Sequence, residues 1–219
     1  LHAACAAGKA QGMRKFGGLI HLAGPSYSLA DTMVQQLAPQ AVASGLEPQE
    51  AVALMTRFRE AVGLLPESAA NPPDLAAFQP AAALFRNLAL QATTPQLRGA
   101  ASASEKPFPV ALMLEDPLKA IQAFGGPLLV VSAVNDLQVT EQDAERIFAA
   151  SPSTQKRMVR IKNANHVFKQ EIRPPAGAKP VELVKAYAEP GRPLASGLVD
   201  AIIGFMAEVE AKTEQPNAS

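Results

Sequence analysis

Pro127-Leu-Leu-Val-Val-Ser-Ala-Val134, followed at once by Asn135-Asp136, decides how this chain is read. The run is apolar and rich in β-branched residues, and it follows a Gly125-Gly126 turn, so it predicts a fully buried strand. Asn135 and Asp136 then stand at the strand's carboxyl end. Thr140-Glu-Gln-Asp143 opens a helix, with Thr140 as N-cap and Asp143 three residues on, an acidic variant of the capping box. Arg157-Met-Val-Arg-Ile161 predicts a second, shorter strand, and it leads to Asn163-Ala-Asn165-His166. A carboxylate and an imidazole therefore stand at the ends of two successive strands joined by one helix. In an open parallel sheet both emerge on the rim where ligands bind.

Working outward, Phe16-Gly-Gly-Leu-Ile-His-Leu-Ala23 reads as a short buried strand closed by Gly24-Pro25. The Ala-rich start, Leu1 to Lys15, suits a helix with Arg14 and Lys15 in its last turn. From Leu29 to Pro117 the character changes. Leu29 to Leu37 has apolar residues at helical spacing, and Glu47-Pro-Gln-Glu50 opens a helix that Val52 to Leu64 continue. Leu75 to Leu90 is a further helical stretch broken by Pro80. The region reads as a helical insertion. Met33, Leu54, Met55, Phe58, Leu84, Phe85 and Met113 read first as its core; lining an acyl or aryl pocket is their second reading. Asp116-Pro117 caps a short helix that returns the chain to the Pro127 strand. Arg173-Pro-Pro-Ala-Gly177 is a loop, Pro193 to Met206 the closing amphipathic helix, and 214–219 a tail.

Composition narrows the function classes. The chain has 219 residues, is 48% hydrophobic and 18% charged, and carries 20 Lys plus Arg against 20 Asp plus Glu. That suits a core-forming protein with no basic surplus for nucleic acid. No apolar run approaches the ~20 residues of a membrane span. Cys5 is the one cysteine, so neither an intramolecular disulfide nor a cysteine-based metal site can form, in keeping with a reducing compartment. The sequence opens on neither a signal peptide nor an initiator Met. His2 and His21 show no metal-ligand spacing, and no glycine-rich nucleotide motif follows a strand, so no cofactor is expected. His21 reads as a packed, hydrogen-bonded core histidine.

Taken together, Gly18-Leu-Ile-His-Leu-Ala-Gly24, Asp116-Pro117, Asn135-Asp136-Leu-Gln-Val139, Asp143-Ala144, Asn165-His166-Val-Phe-Lys169 and the closing helix resemble the C-terminal part of an α/β-hydrolase of the serine esterase-like group. The resemblance implies an α/β fold, a parallel sheet with flanking helices, carrying a helical cap. The core would be 1–28 with 117–213, and the cap 29–116. It implies a triad in the order nucleophile, acid, histidine, with Asp136 as acid and His166 as base. It also implies a small-molecule ester or acyl substrate. The family's G-x-S-x-G elbow occurs nowhere in the sequence. The nearest serine, Ser26 in Gly24-Pro25-Ser26-Tyr27-Ser28, is rejected as nucleophile: Pro25 lacks an N–H, and Ser28 stands where the elbow needs glycine. The elbow is therefore expected upstream of Leu1. Two alternatives stay open: dehalogenase or epoxide-hydrolase chemistry with an Asp nucleophile, and a non-catalytic binding domain that keeps the fold.

Overall fold

The computed structural model describes residues 17–32, 35, 42, 47–63, 116–172 and 186–213. The expected helices over 1–15 and 75–90, the loop from Arg173 to Gly177, the tail 214–219, and His2, Cys5, Met33, Leu84, Phe85 and Met113 lie outside these residues. The chain divides into two compact units, Leu1–Ser26 with Asp116–Ser219, and Tyr27–Glu115.

In the first unit, β1 (Leu19–Leu22), β2 (Leu128–Ala133) and β3 (Lys156–Ile161) form a parallel sheet in the order β1-β2-β3. Leu19 pairs with Leu128, and Leu128 with Lys156, so the three strands start level. All six residues of β2 are buried. The reason is visible in its alternation, because successive side chains leave a strand on opposite faces. Leu129, Val131 and Ala133 face one cluster with Ile161, Phe168, Leu198 and Phe205. Leu128 and Val130 face the other with Ile121, Ala144 and Ile147. A strand covered on both sides has no use for polar residues, which is why β2 reads as an unbroken apolar run.

The helices follow local signals. Asp116 caps α2 (Pro117–Gln122) by accepting from the backbone N–H groups of Leu118 and Lys119 at 2.9 and 3.2 Å. Thr140 opens α3 (Glu141–Ala150). Its N–H and hydroxyl both donate to Asp143 Oδ2, at 2.9 and 2.8 Å. The closing helix α4 (Leu198–Thr213) starts five residues later than the sequence pattern suggested and ends later too. Gly197 has a φ of +88°, which a helix interior cannot contain, and Leu194 bridges to Lys169. The apolar residues of Pro193 to Gly197 thus serve the histidine turn rather than the helix. In the second unit α1 (Pro48–Gly63) matches the reading of Glu47 to Leu64, and Met55 on it is buried.

Beyond β1 the chain turns sharply at Ala23, whose φ is +40°. The turn lays the His21 ring against Gly24. A Cβ on Gly24 would stand 2.4 Å from His21 Nε2 and 2.6 Å from Cε1. His21 is 8% exposed, so its ring has little room to retreat. Gly24→Ala is accordingly expected to cost about 1–3 kcal/mol through overpacking. A lower urea midpoint at unchanged slope is the expected observation.

Candidate active site

The acid turn is built first. As β2 ends, Val134 N–H bonds to the Ile161 carbonyl and Asn135 N–H to the Ala164 carbonyl, both at 3.0 Å. Asp136 then folds its carboxylate back over its own turn, with Oδ1 accepting from the N–H groups of Gln138 at 2.7 Å and Val139 at 3.0 Å. This leaves Oδ2 directed outward from the turn.

The histidine turn follows β3. Asn163 has a φ of +52°, a conformation asparagine tolerates, and Phe168 has +57°, which a bulky residue rarely adopts. Phe168 is held there by its N–H to the Asn165 carbonyl and by Ala195 N–H on its own carbonyl, both 2.8 Å. Such strain costs on the order of 1–3 kcal/mol and persists only where the surroundings impose it.

These two turns bring together the residues that the sequence singled out. His166 Nδ1 lies 2.8 Å from Asp136 Oδ2. The Asp136 side chain is 1% exposed and that of His166 28%. A carboxylate can only accept, so Nδ1 carries the shared proton and Nε2 is left as the basic nitrogen. Among the described residues Nε2 has no hydrogen-bond partner. An imidazole in this state can take a proton at Nε2, and the buried carboxylate stabilises the cation that forms.

Tyr187, to which the sequence drew no attention, stands beside the pair. Its ring centroid is 6.2 Å from that of His166, tilted by 46°, and its hydroxyl accepts from Gln138 Nε2 at 3.1 Å. Burial, with the nearby Asp136 and Glu171 charges, raises the phenol's pKa above its usual value against the opposing Gln138 bond. Exposed Val134, Leu137, Val167 and Ile172 follow the same two turns.

Ser26 has a different task. It is 2% exposed, and both its N–H and its hydroxyl donate to Asp143 Oδ1, at 2.9 and 2.7 Å. Burial alone would raise the Asp143 pKa. The four bonds from Ser26 and Thr140 outweigh that and hold it below the ordinary value. Ser26 thus ties the β1 turn to α3. His21 is buried as expected, but its Nδ1 has no hydrogen-bond partner among the described residues, contrary to the paired histidine expected there.

Elsewhere a cleft of about 300 Å³ opens at the amino ends of β2 and β3, between Pro127, Lys156, Arg157, Phe205 and Lys212. Lys156 Nζ is already engaged by the Phe148 and Ser151 carbonyls, and Arg157 by Glu208 and the Ala201 carbonyl. Among the described residues no cluster of three or more His, Cys, Asp and Glu is arranged to hold a metal. No described helix is long and apolar enough to cross a membrane.

No family model matches the sequence, and no curated protein is similar to it. Among solved structures, a protein assigned as a non-heme bromoperoxidase, BpoC from Mycobacterium tuberculosis H37Rv, is 17% identical over 88% of this chain, with a TM-score of 0.37. The chain spans 58% of that structure's length. At this level the likeness assigns no activity. What the chain itself presents is a parallel sheet flanked by helices, with an Asp136–His166 pair at its carboxyl rim.

Proposed function

We propose that this chain supplies the acid and base of a serine hydrolase-type enzyme that cleaves ester or related acyl bonds. The nucleophile comes from a strand-to-helix elbow outside these 219 residues, because no G-x-S-x-G motif is among them and Ser26 is committed to Asp143. The observation that carries the proposal is the 2.8 Å contact between a buried carboxylate and a part-exposed imidazole at the ends of two adjacent parallel strands. His166 Nε2 takes the nucleophile's proton as the acyl carbonyl is attacked and returns it to the leaving alcohol. Water then releases the acyl group by the same two transfers. Asp136 holds the tautomer throughout. Tyr187, whose ring centroid is 6.2 Å from that of His166, stands beside the base.

The test compares aryl-ester turnover by the 219-residue chain with turnover by a longer polypeptide in which such an elbow precedes it. The expected result is none above buffer for the first, and turnover with labelling by a fluorophosphonate probe for the second. Turnover by the 219-residue chain that vanishes in Ser26→Ala would overturn the assignment of the nucleophile. A longer reading frame without a Ser or Cys elbow, or with an Asp in its place, would overturn the proposal as a whole.

A further inference from the structure

An asparagine immediately precedes each member of the pair, Asn135 before Asp136 and Asn165 before His166, and both side chains converge on Glu171. Asn135 Nδ2 donates to the backbone carbonyl of Glu171 and, at 3.2 Å, to that of Ile172. Asn165 Nδ2 donates to the Glu171 carboxylate, Oε2, at 3.1 Å. Asn165 Oδ1 meanwhile accepts from Val167 and Lys169 N–H at 3.2 and 3.0 Å, closing the histidine turn. Asn165 is 1% exposed and Glu171 8%. The second carboxylate oxygen, Oε1, faces Arg192 Nη1 at 3.6 Å, and Arg192 also donates to the Gln170 carbonyl. Glu171 N–H returns to the Asn163 carbonyl at 2.7 Å.

A buried carboxylate is a poor way to stabilise a turn. Its desolvation is costly, and an apolar residue of similar volume often serves stability as well or better. What the carboxylate adds is direction. It accepts from one asparagine along one line and faces one guanidinium along another, while its backbone carbonyl holds the other asparagine. The acid turn and the histidine turn are thereby referred to a single residue.

We infer that Glu171 is a positioning residue that, through Asn135 and Asn165, sets the separation and relative tilt of Asp136 and His166. The inference rests on the reading of that pair as acid and base, and goes beyond it, because Glu171 bonds to neither. It acts by fixing where the two turns stand, so its loss loosens the Nδ1–Oδ2 bond without removing either partner.

The test reads the His166 tautomer directly, by long-range proton–nitrogen correlation of the imidazole in the 219-residue chain. Wild type is expected to hold the proton on Nδ1. Asn165→Asp keeps the oxygen that caps Val167 and Lys169 but sets a second carboxylate against Glu171. The ratio of Nδ1–H to Nε2–H should fall by about tenfold, within the range for residues sharing one hydrogen-bond network. Adding Glu171→Gln reverses donor and acceptor, and the ratio should recover. A role confined to filling space predicts no such recovery. If Asn165→Asp does not fold, Arg192→Gln on the part-exposed side of the network gives the same reading, with the same fall expected. An unchanged ratio in the folded variant overturns the inference. Asp136→Asn serves as the reference: if it too leaves the tautomer unchanged, the acid–base reading fails as well. If it shifts the tautomer while the network variants do not, the positioning role alone fails.

Discussion

Asp136→Asn is expected to lower kcat for an aryl ester by on the order of 10³–10⁴ in the polypeptide that carries the nucleophile, with little change in KM. The substitution is nearly isosteric, and the turn should survive it. Asp136 Oδ1, which accepts from Gln138 and Val139, is matched by the carbonyl oxygen of asparagine. The amide nitrogen must then face His166 Nδ1, where Oδ2 now lies at 2.8 Å. Two donors cannot share that contact, so the imidazole moves its proton to Nε2. Nε2 is then a donor facing the nucleophile, and it cannot accept the proton that attack releases. On that mechanism His166→Ala removes the base outright and should cost at least as much, up to on the order of 10⁶. Because the two residues act as one unit, the double variant should be no slower than the slower single one. Thermal unfolding of Asp136→Asn near wild type, with turnover lost, separates this chemistry from a folding defect. Wild-type kcat in Asp136→Asn would remove the carboxylate from the mechanism.

Local signals carried far in the sequence. The apolar run of β2 is legible because a strand buried on both faces leaves a continuous mark, and the caps at Asp116 and Thr140 are legible because they close within three residues, Asp116 accepting from Leu118 and Lys119 N–H and Thr140 donating to Asp143. The meeting of Asp136 and His166 followed from two strand ends and one connecting helix, and the 2.8 Å contact agrees with it. Glu171 left no such mark. It sits in an unremarkable Lys169-Gln-Glu171 stretch, and its significance comes from Arg192 and from two asparagines, none adjacent to it in the chain. The start of α4 was misplaced for a related reason. Apolar spacing from Pro193 onward suits a helix, and only the bridge from Leu194 to Lys169 diverts those residues to the histidine turn. Tyr187, similarly, is tied to the site through Gln138, 49 residues earlier. Short-range chemistry can be read along a chain, whereas the arrangements that hold two turns together are made between segments.

Acidification from pH 7 to pH 5 is expected to remove about 2 kcal/mol of folding stability through His21 alone. Burial first, and the positive charge of the amino terminus second, lower the His21 pKa from 6.5 to about 4, against an opposing pull from Asp143. The cause is structural: the ring lies in the β1 turn over Gly24, 8% exposed, and its Nδ1 already lacks a partner among the described residues. Protonation there would place a charge on a ring that is only 8% exposed and whose Nδ1 has no acceptor among the described residues. The unfolded chain, in contrast, protonates this histidine near pH 6.5. Between about 6.5 and 4 the unfolded state therefore binds more protons than the folded one, so stability falls as pH falls, and at pH above 7 the group contributes no slope. Asp143 also loses stabilising bonds on acidification, but its folded pKa is depressed, so that loss comes below pH ~4 as the pH falls through its folded value. The two windows are distinct. His21→Gln keeps a neutral polar side chain of similar size and does not titrate, so the difference between its stability curve and that of wild type isolates this histidine from every other group. Urea unfolding at half-unit steps of pH should show the stability of wild type relative to His21→Gln falling by about 2 kcal/mol from pH 7 to pH 5. Curves that stay parallel from pH 7 to pH 5 would mean that the ring is protonated as easily in the folded chain as in the unfolded one, and that burial under the β1 turn does not govern it.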